Sequence, residues 1–220
     1  MKLGRIKGRD YLKESEIRDP SVHNRYLEMV KEDALAYFAE ANRCEDVPCP
    51  ACGDNDAQAQ FEKFGFTYVS CNDCRSLYVN PRPKLSHLEE FYVNSPSSRF
   101  WVEKFFKPVA EVRRVKLFRP RAEHVGNILG DTNKVVVGDI GAGFGLFLDE
   151  LKKVVPGARC MAIEPSPEMA EICRCRGIEV QETIIEKIEG CEGEFDFLCA
   201  FELFEHLHQP RSMMDAAFKL

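Results

Sequence analysis

The sequence predicts an α/β chain whose centre is an open, doubly wound parallel sheet, with a small cysteine ribbon and a group of helices placed before it. Three observations carry that prediction. Residues 135–151 read V-V-V-G-D-I-G-A-G-F-G-L-F-L-D-E-L: a β-branched run ending in an acid, three glycines at alternate positions, then an apolar pattern at helical spacing. Strand and helix patterns go on alternating to Phe201, with connections of the length that parallel crossovers take. Upstream, two C-x-x-C pairs lie eighteen residues apart. The chain has 220 residues, enough for one domain and a lesser module.

Taken in order, residues 1–47 open on a charged stretch. Asp19-Pro20 then starts a helix, with a capping acid and a proline in the first turn. Tyr26, Met29, Val30, Ala34, Tyr37 and Phe38 recur at three and four residues and predict an amphipathic helix that packs on the body of the protein. Residues 48–83 form the ribbon. Cys49 and Cys52 make one knuckle and Cys71 and Cys74 the other, each turning two thiolates to one side so that the four close a tetrahedron around zinc. A rubredoxin-like iron site or a redox dithiol uses similar spacing. The aromatic and β-branched run 61–69 between the knuckles suits strands. Cys44, Cys160, Cys173, Cys175, Cys191 and Cys199 lack ligand spacing and read as ordinary thiols.

Residues 84–130 are a helical connector. Its second part, 99–129, reads as pieces broken at Pro108 and Pro120, with Phe100, Trp101, Phe105, Phe106, Val112, Val115, Leu117 and Phe118 as apolar faces. Arg113, Arg114, Lys116, Arg119 and Arg121 cluster there. They read as a solvated face and partners for an acidic neighbour, or as contacts to a phosphate on a nucleotide-linked sugar. Charge supports the first use. Residues 76–135 carry 11 basic and 6 acidic side chains and residues 136–220 carry 8 and 16, a segregation that the overall charge of −6 conceals.

In residues 131–220, strands are expected at 135–139, 159–163, 178–181 and 195–201, with a helix over 166–176. The loop spacing is D-x-G-x-G-x-G rather than the G-x-G-x-x-G of a dinucleotide fingerprint. Here the sequence resembles the class I S-adenosylmethionine-dependent methyltransferases, with their Rossmann-like sheet. Cys49 to Cys74, then N-P-R-P at 80–83 and the F-Y pair at 91–92, sharpen the likeness. The combination resembles bacterial methyltransferases with an N-terminal zinc-binding domain, a group associated with sugar, polysaccharide and natural-product modification; the likeness covers residues 48–220.

The resemblance implies a cofactor lying across Asp139, Gly141, Ala142, Gly143 and Gly145. Glu164, at a strand end about twenty residues on, would take the ribose hydroxyls. Pro165 and the Thr183–Ile184 segment would flank the adenine, and Phe201 the methionine part. The stretch 201–210, F-E-L-F-E-H-L-H-Q-P, resembles the E-H-L-x-x-P segment of this superfamily and places Glu205 and His206 at the reacting end. If that segment turns helical, Glu202, Glu205 and His206 share a face, which resembles the magnesium or manganese site of some O-methyltransferases.

The expected acceptor is a small molecule or nucleotide sugar, methylated on oxygen, carbon or nitrogen. A non-catalytic scaffold module is the other function class. Nucleic acid is not expected, because the ribbon loop offers one lysine, Lys63, among acids. No apolar run approaches the roughly twenty residues of a membrane span, and the N-terminus lacks a signal peptide's apolar core. The expected location is therefore the cytoplasm. A complete sheet of this class has seven strands and four are legible. The sequence reading accordingly expects a C-terminally truncated core, whose fourth strand is either a bare edge or covered by a partner.

Overall fold

The computed structural model describes residues 13–130 and 134–220; the side chains of Glu14 and of Phe105, Phe106 and Lys107 lie outside that description. The charged opening and the boundary at 131 fall outside the described residues.

After a single turn, α1 (Glu14–Ile17), Asp19 caps α2 (Pro20–Tyr37) by accepting hydrogen bonds from the N–H groups of Ser21 and Val22. The apolar stripe of α2 meets other parts of the molecule through aromatic contacts. Tyr26 lies 4.7 Å from Trp101, Tyr37 lies 5.6 Å from Phe91, and Phe38 lies 5.5 Å from Phe66. The helix thereby joins connector and ribbon.

The ribbon is built on β1 (Cys44–Glu45), β2 (Ala57–Lys63), β3 (Phe66–Cys71), β4 (Leu77–Val79) and β5 (Arg82–Pro83). Strands β2, β3 and β4 form an antiparallel sheet, while β1 pairs with β5 so that Glu45 lies opposite Arg82. Its small core holds Cys49, Val69, Cys71 and Tyr78, too little apolar surface to fold alone.

The connector starts with α3 (Leu85–Asn94) and α4 (Pro96–Phe100), followed by a wide π turn over Trp101–Phe106. Pro108 sits in a short 3₁₀ turn, a break of the expected kind. Pro120 does not break the chain. Helix α5 (Ala110–Arg113) runs through a second π turn, Arg114–Phe118, into α6 (Arg119–Leu129), and Phe118 keeps right-handed helical angles. The wide turn shifts the hydrogen-bond partners by a residue and leaves Pro120, which has no N–H, in the first turn of a new α segment.

The remaining chain alternates strand and helix: β6 (Val136–Ile140), α7 (Leu146–Val154), β7 (Arg159–Ile163), α8 (Pro167–Cys175), β8 (Glu179–Gln181), β9 (Phe197–Ala200) and α9 (Pro210–Lys219). The sheet is parallel, in the order β8-β7-β6-β9. One face is covered by α6, α7 and α8 through Ala122, Val125, Phe147, Leu148, Leu151 and Cys173. The other is covered by α9 and the 3₁₀ turn at Ile185–Lys187, through Met213, Leu220 and Ile185. Because strand order reverses between β6 and β9, their carboxyl ends open a crevice.

Candidate active site and metal centre

The loop from β6 into α7 lines that crevice. Gly141, Gly143 and Gly145 all have positive φ, at 71°, 55° and 66°. Two of them serve different ends. A Cβ on Gly143 would meet nothing within 4 Å, so this backbone is open to a ligand, whereas a Cβ on Gly145 would come within 2.9 Å of Cys173 Sγ and Ile178 Cδ1. Gly145 therefore packs the loop onto α8 and does not line the cavity, unlike the placement expected from sequence.

The cavity is walled by Asp139, Gly141, Ala142, Gly143, Phe144 and Leu146 from β6 and its loop, and by Phe201 and Glu202 after β9. Met169 closes one side. Trp101, Val102, Arg113 and Phe118 of the connector roof it, a contribution the sequence reading missed. Arg113, one of the cations expected on a solvated face or against a phosphate, has a buried side chain instead, and burial pushes its pKa down. The neighbouring cations have acidic partners. Arg119 Nε donates to Glu150 Oε2 at 2.8 Å, Arg114 contacts both Asp149 and Glu150, and Lys116 pairs with Glu16. Burial raises the pKa of Glu150, but Arg119, Lys153 and Arg114 outweigh it and hold the carboxyl at about 2.

Asp139 is buried at the cavity floor, and its pKa is pushed up to about 8, mainly by burial and then by the Glu164 charge, with Arg121 opposing. Glu164 ends β7, as expected, and is buried. Its carboxylate accepts from the N–H of Gly143 at 2.8 Å and of Ser166 at 2.9 Å, so it pins the glycine loop to the neighbouring strand end. It lies outside the cavity lining, and so do exposed Pro165, half-buried Thr183 and exposed Ile184.

The segment after β9 departs from the helical expectation. Glu202 takes a left-handed φ of 56°, and Arg121 Nη2 donates to its Oε1 at 2.5 Å, which lowers the pKa of Glu202. The same guanidinium lies 4.9 Å from the ring of Phe201. Only Phe204–His206 turn, as a 3₁₀ helix, so Glu202 is not one helical step from Glu205 and His206. Both of those side chains are exposed outside the cavity lining, and His206 Nδ1 stands 3.5 Å from the Tyr92 hydroxyl. The expected magnesium or manganese cluster is thus not assembled. Among the described residues the one group arranged to hold an ion is Cys49, Cys52, Cys71 and Cys74.

Those four sulfurs all lie within 4.8 Å of one another. Cys49 Sγ is 3.5 Å from Cys74 Sγ, and Cys52 Sγ is 3.5 Å from Cys71 Sγ. A tetrahedron with metal–sulfur bonds of about 2.3 Å has edges of about 3.8 Å, so the separations fit a thiolate metal site. Disulfide bonding does not hold them, because all four thiols are free.

Residues 138–220 match a family model described as a methyltransferase domain. The open parallel sheet has an α/β Rossmann-like methyltransferase fold. A ubiquinone biosynthesis O-methyltransferase of Erwinia tasmaniensis is 28% identical over 132 residues, covering 56% of this chain and 51% of that protein. One from Pectobacterium atrosepticum is 27% identical over 151 residues, 64% of this chain and 59% of the relative. The chain thus spans between half and three fifths of the length of these relatives. Among solved structures, an S-adenosylmethionine-dependent methyltransferase from Aquifex aeolicus is 25% identical with a TM-score of 0.42, covering 49% of this chain and 60% of that one. The plantazolicin methyltransferase BpumL in complex with SAH is 18% identical with a TM-score of 0.47, covering 59% and 51%. Among the described residues of this chain, no helix is long and apolar enough to cross a membrane.

Proposed function

We propose that this chain binds S-adenosylmethionine and transfers its methyl group to a small-molecule acceptor, with a structural zinc in the ribbon. The observation that carries the reading is the open glycine loop at the β6–β9 crevice, with buried Asp139 and buried Arg113 lining one cavity. The methionine end of the cofactor is a zwitterion. An acid whose pKa is pushed up to about 8 by burial and the Glu164 charge, and a buried guanidinium, fit its ammonium and carboxylate respectively.

When bound, the cofactor supplies an electrophilic methyl on a sulfonium. The protein's part is to bind, to orient and to exclude water. Gly141, Ala142 and Gly143 present main chain to the cofactor. Glu164, whose carboxylate oxygens retain lone pairs beyond the two N–H groups they accept, takes the ribose hydroxyls. Pro165 and the Thr183–Ile184 turn border the adenine. Trp101, Phe118 and Phe201 keep water from the reacting end. An acceptor oxygen is favoured by the relatives named O-methyltransferases. His206, with Glu205 beside it, would take the acceptor's proton, its Nδ1 turned to Tyr92. The acids that partner Arg114, Lys116 and Arg119 argue against a phosphate on those cations. Titration calorimetry with S-adenosylhomocysteine on the folded, zinc-loaded chain tests the reading, and absence of binding overturns it.

A further inference from the structure

A polar clamp joins the ribbon to the segment after β9 across more than a hundred residues of sequence. Arg82 Nη1 donates to the His208 carbonyl at 2.6 Å, and His208 Nε2 lies 3.1 Å from the Pro83 carbonyl. The two contacts are reciprocal, and the first grips main chain of the far segment rather than a side chain. Glu45, opposite Arg82 on β1, closes the group at 3.9 Å from Arg82 Nε and 3.7 Å from His208 Nε2. The Arg82 and His208 side chains are 14% and 10% exposed, so both contacts are largely shielded from water.

Continuous packing leads from the clamp to the four thiols. Tyr78 shares the ribbon core with Cys49 and Cys71, and Asn80 Oδ1 accepts from the Val47 N–H at 2.9 Å. Arg82 follows two residues later. A second approach lies beside the first knuckle, where a Cβ on Gly53 would be 3.8 Å from Arg211 Nη1. Within the gripped segment the His206 N–H donates to the Leu203 carbonyl at 2.8 Å and the Leu207 N–H to the Phe204 carbonyl at 3.3 Å. Leu203 and Leu207 pack beneath it while Phe204, Glu205 and His206 are exposed.

We propose that Arg82 and His208, tied by Glu45, are positioning residues through which the metal-bound ribbon sets residues 203–208, the segment that carries Glu205 and His206. The consequence for catalysis rests on the methyl-transfer reading; the mechanical coupling does not. Opening the ribbon releases Arg82, and with it the backbone at His208.

Hydrogen exchange read by mass spectrometry on the full chain tests this. Metal removal by a chelator, Arg82→Ala and His208→Leu should each speed exchange at 203–208 by about tenfold or more, the factor for losing a hydrogen bond to a charged or shielded group. Amides of β6 and β7 should stay protected. His208→Gln, whose side-chain N–H can reach the Pro83 carbonyl, should keep the wild-type pattern. Protection at 203–208 that survives metal removal while ribbon amides open would overturn the proposal, as would a His208→Gln variant that exchanges like His208→Leu. Should Arg82→Ala fail to fold, the His208 pair decides. S-adenosylhomocysteine titrations on the same samples keep the two readings apart: failure to bind defeats the cofactor reading and leaves the exchange result standing.

Discussion

Replacing Asp139 by Asn should stabilise the protein and at the same time abolish its use of the cofactor. The folded-state pKa of Asp139 is about 8, far above an ordinary carboxylate, because the side chain is buried beside the Glu164 charge. Between about pH 4 and pH 8 the folded form therefore holds a proton that the unfolded chain has released. Stability contributed at this site falls as pH rises through that window, and the loss levels off above about pH 8. Four pKa units at 1.36 kcal/mol each set an upper bound of about 5 kcal/mol, and relaxation of the site reduces it to about 2–4 kcal/mol. Asn has nearly the same shape and does not ionise. Urea denaturation of both proteins from pH 5 to pH 8.5 should show the wild type losing stability relative to Asp139→Asn as pH rises. Above pH 8 the variant should be the more stable by about 2–4 kcal/mol. Parallel pH profiles would show that burial of this carboxyl is not costly, and would remove the reason for expecting a cationic ligand there.

Other perturbations test neighbouring parts of the site. Glu164→Ala should weaken S-adenosylhomocysteine binding by about 1.5–3 kcal/mol, the range for hydrogen bonds to a charged group. It should also lower the Asp139 pKa by removing a neighbouring charge. Unchanged calorimetric affinity would mean that the ribose is held elsewhere. Glu150 has the opposite linkage. Its folded pKa is depressed to about 2, so its contribution is complete above about pH 4.5 and disappears as pH falls towards 2. Glu150→Gln should cost about 2–3 kcal/mol at pH 7 and flatten the acid limb of a thermal melt series, because Arg114 and Arg119 would lose a buried partner. Elemental analysis should find one zinc per chain, and substituting Cys49 by Ser should unfold the ribbon while the parallel sheet keeps its far-ultraviolet signature.

The sheet and the thiol cluster were legible for the same reason: each is specified by local chemistry. Alternating glycines after a β-branched run predict a strand, loop and helix wherever they occur, and β6 and α7 lie where that pattern placed them. The four ligands follow from two short spacings, and their sulfurs converge. The roof of the cavity was not legible, because Trp101, Arg113 and Phe118 reach it by tertiary packing of connector segments that pass through two π turns with a 3₁₀ break between them. A helical wheel of the connector puts Arg113 among other cations and gives no sign that it turns inward while Arg114 and Arg119 turn to Glu150.

The misreading of Glu202, Glu205 and His206 has a more specific cause. Spacing of three and four residues brings side chains together only on an α-helix, and the assumption fails at the first residue, where Glu202 takes a left-handed angle. Such an angle is costly for a residue with a Cβ and persists only where surrounding contacts impose it. Here those contacts are identifiable: Arg121 holds the carboxylate, while Leu203, three residues after β9, packs into the second core and would stand 3.0 Å from a Cβ at Gly141. The chain must therefore turn sharply between a side chain drawn to the connector and one drawn under the glycine loop. No sequence period encodes that conflict, because both of its anchors lie on other elements. The same turn sends Phe201 against Phe147 at 4.7 Å and aims residues 204–208 at the ribbon, where Arg82 meets His208. The geometry that disperses the expected metal ligands is thus the geometry that brings this segment within reach of the N-terminal module.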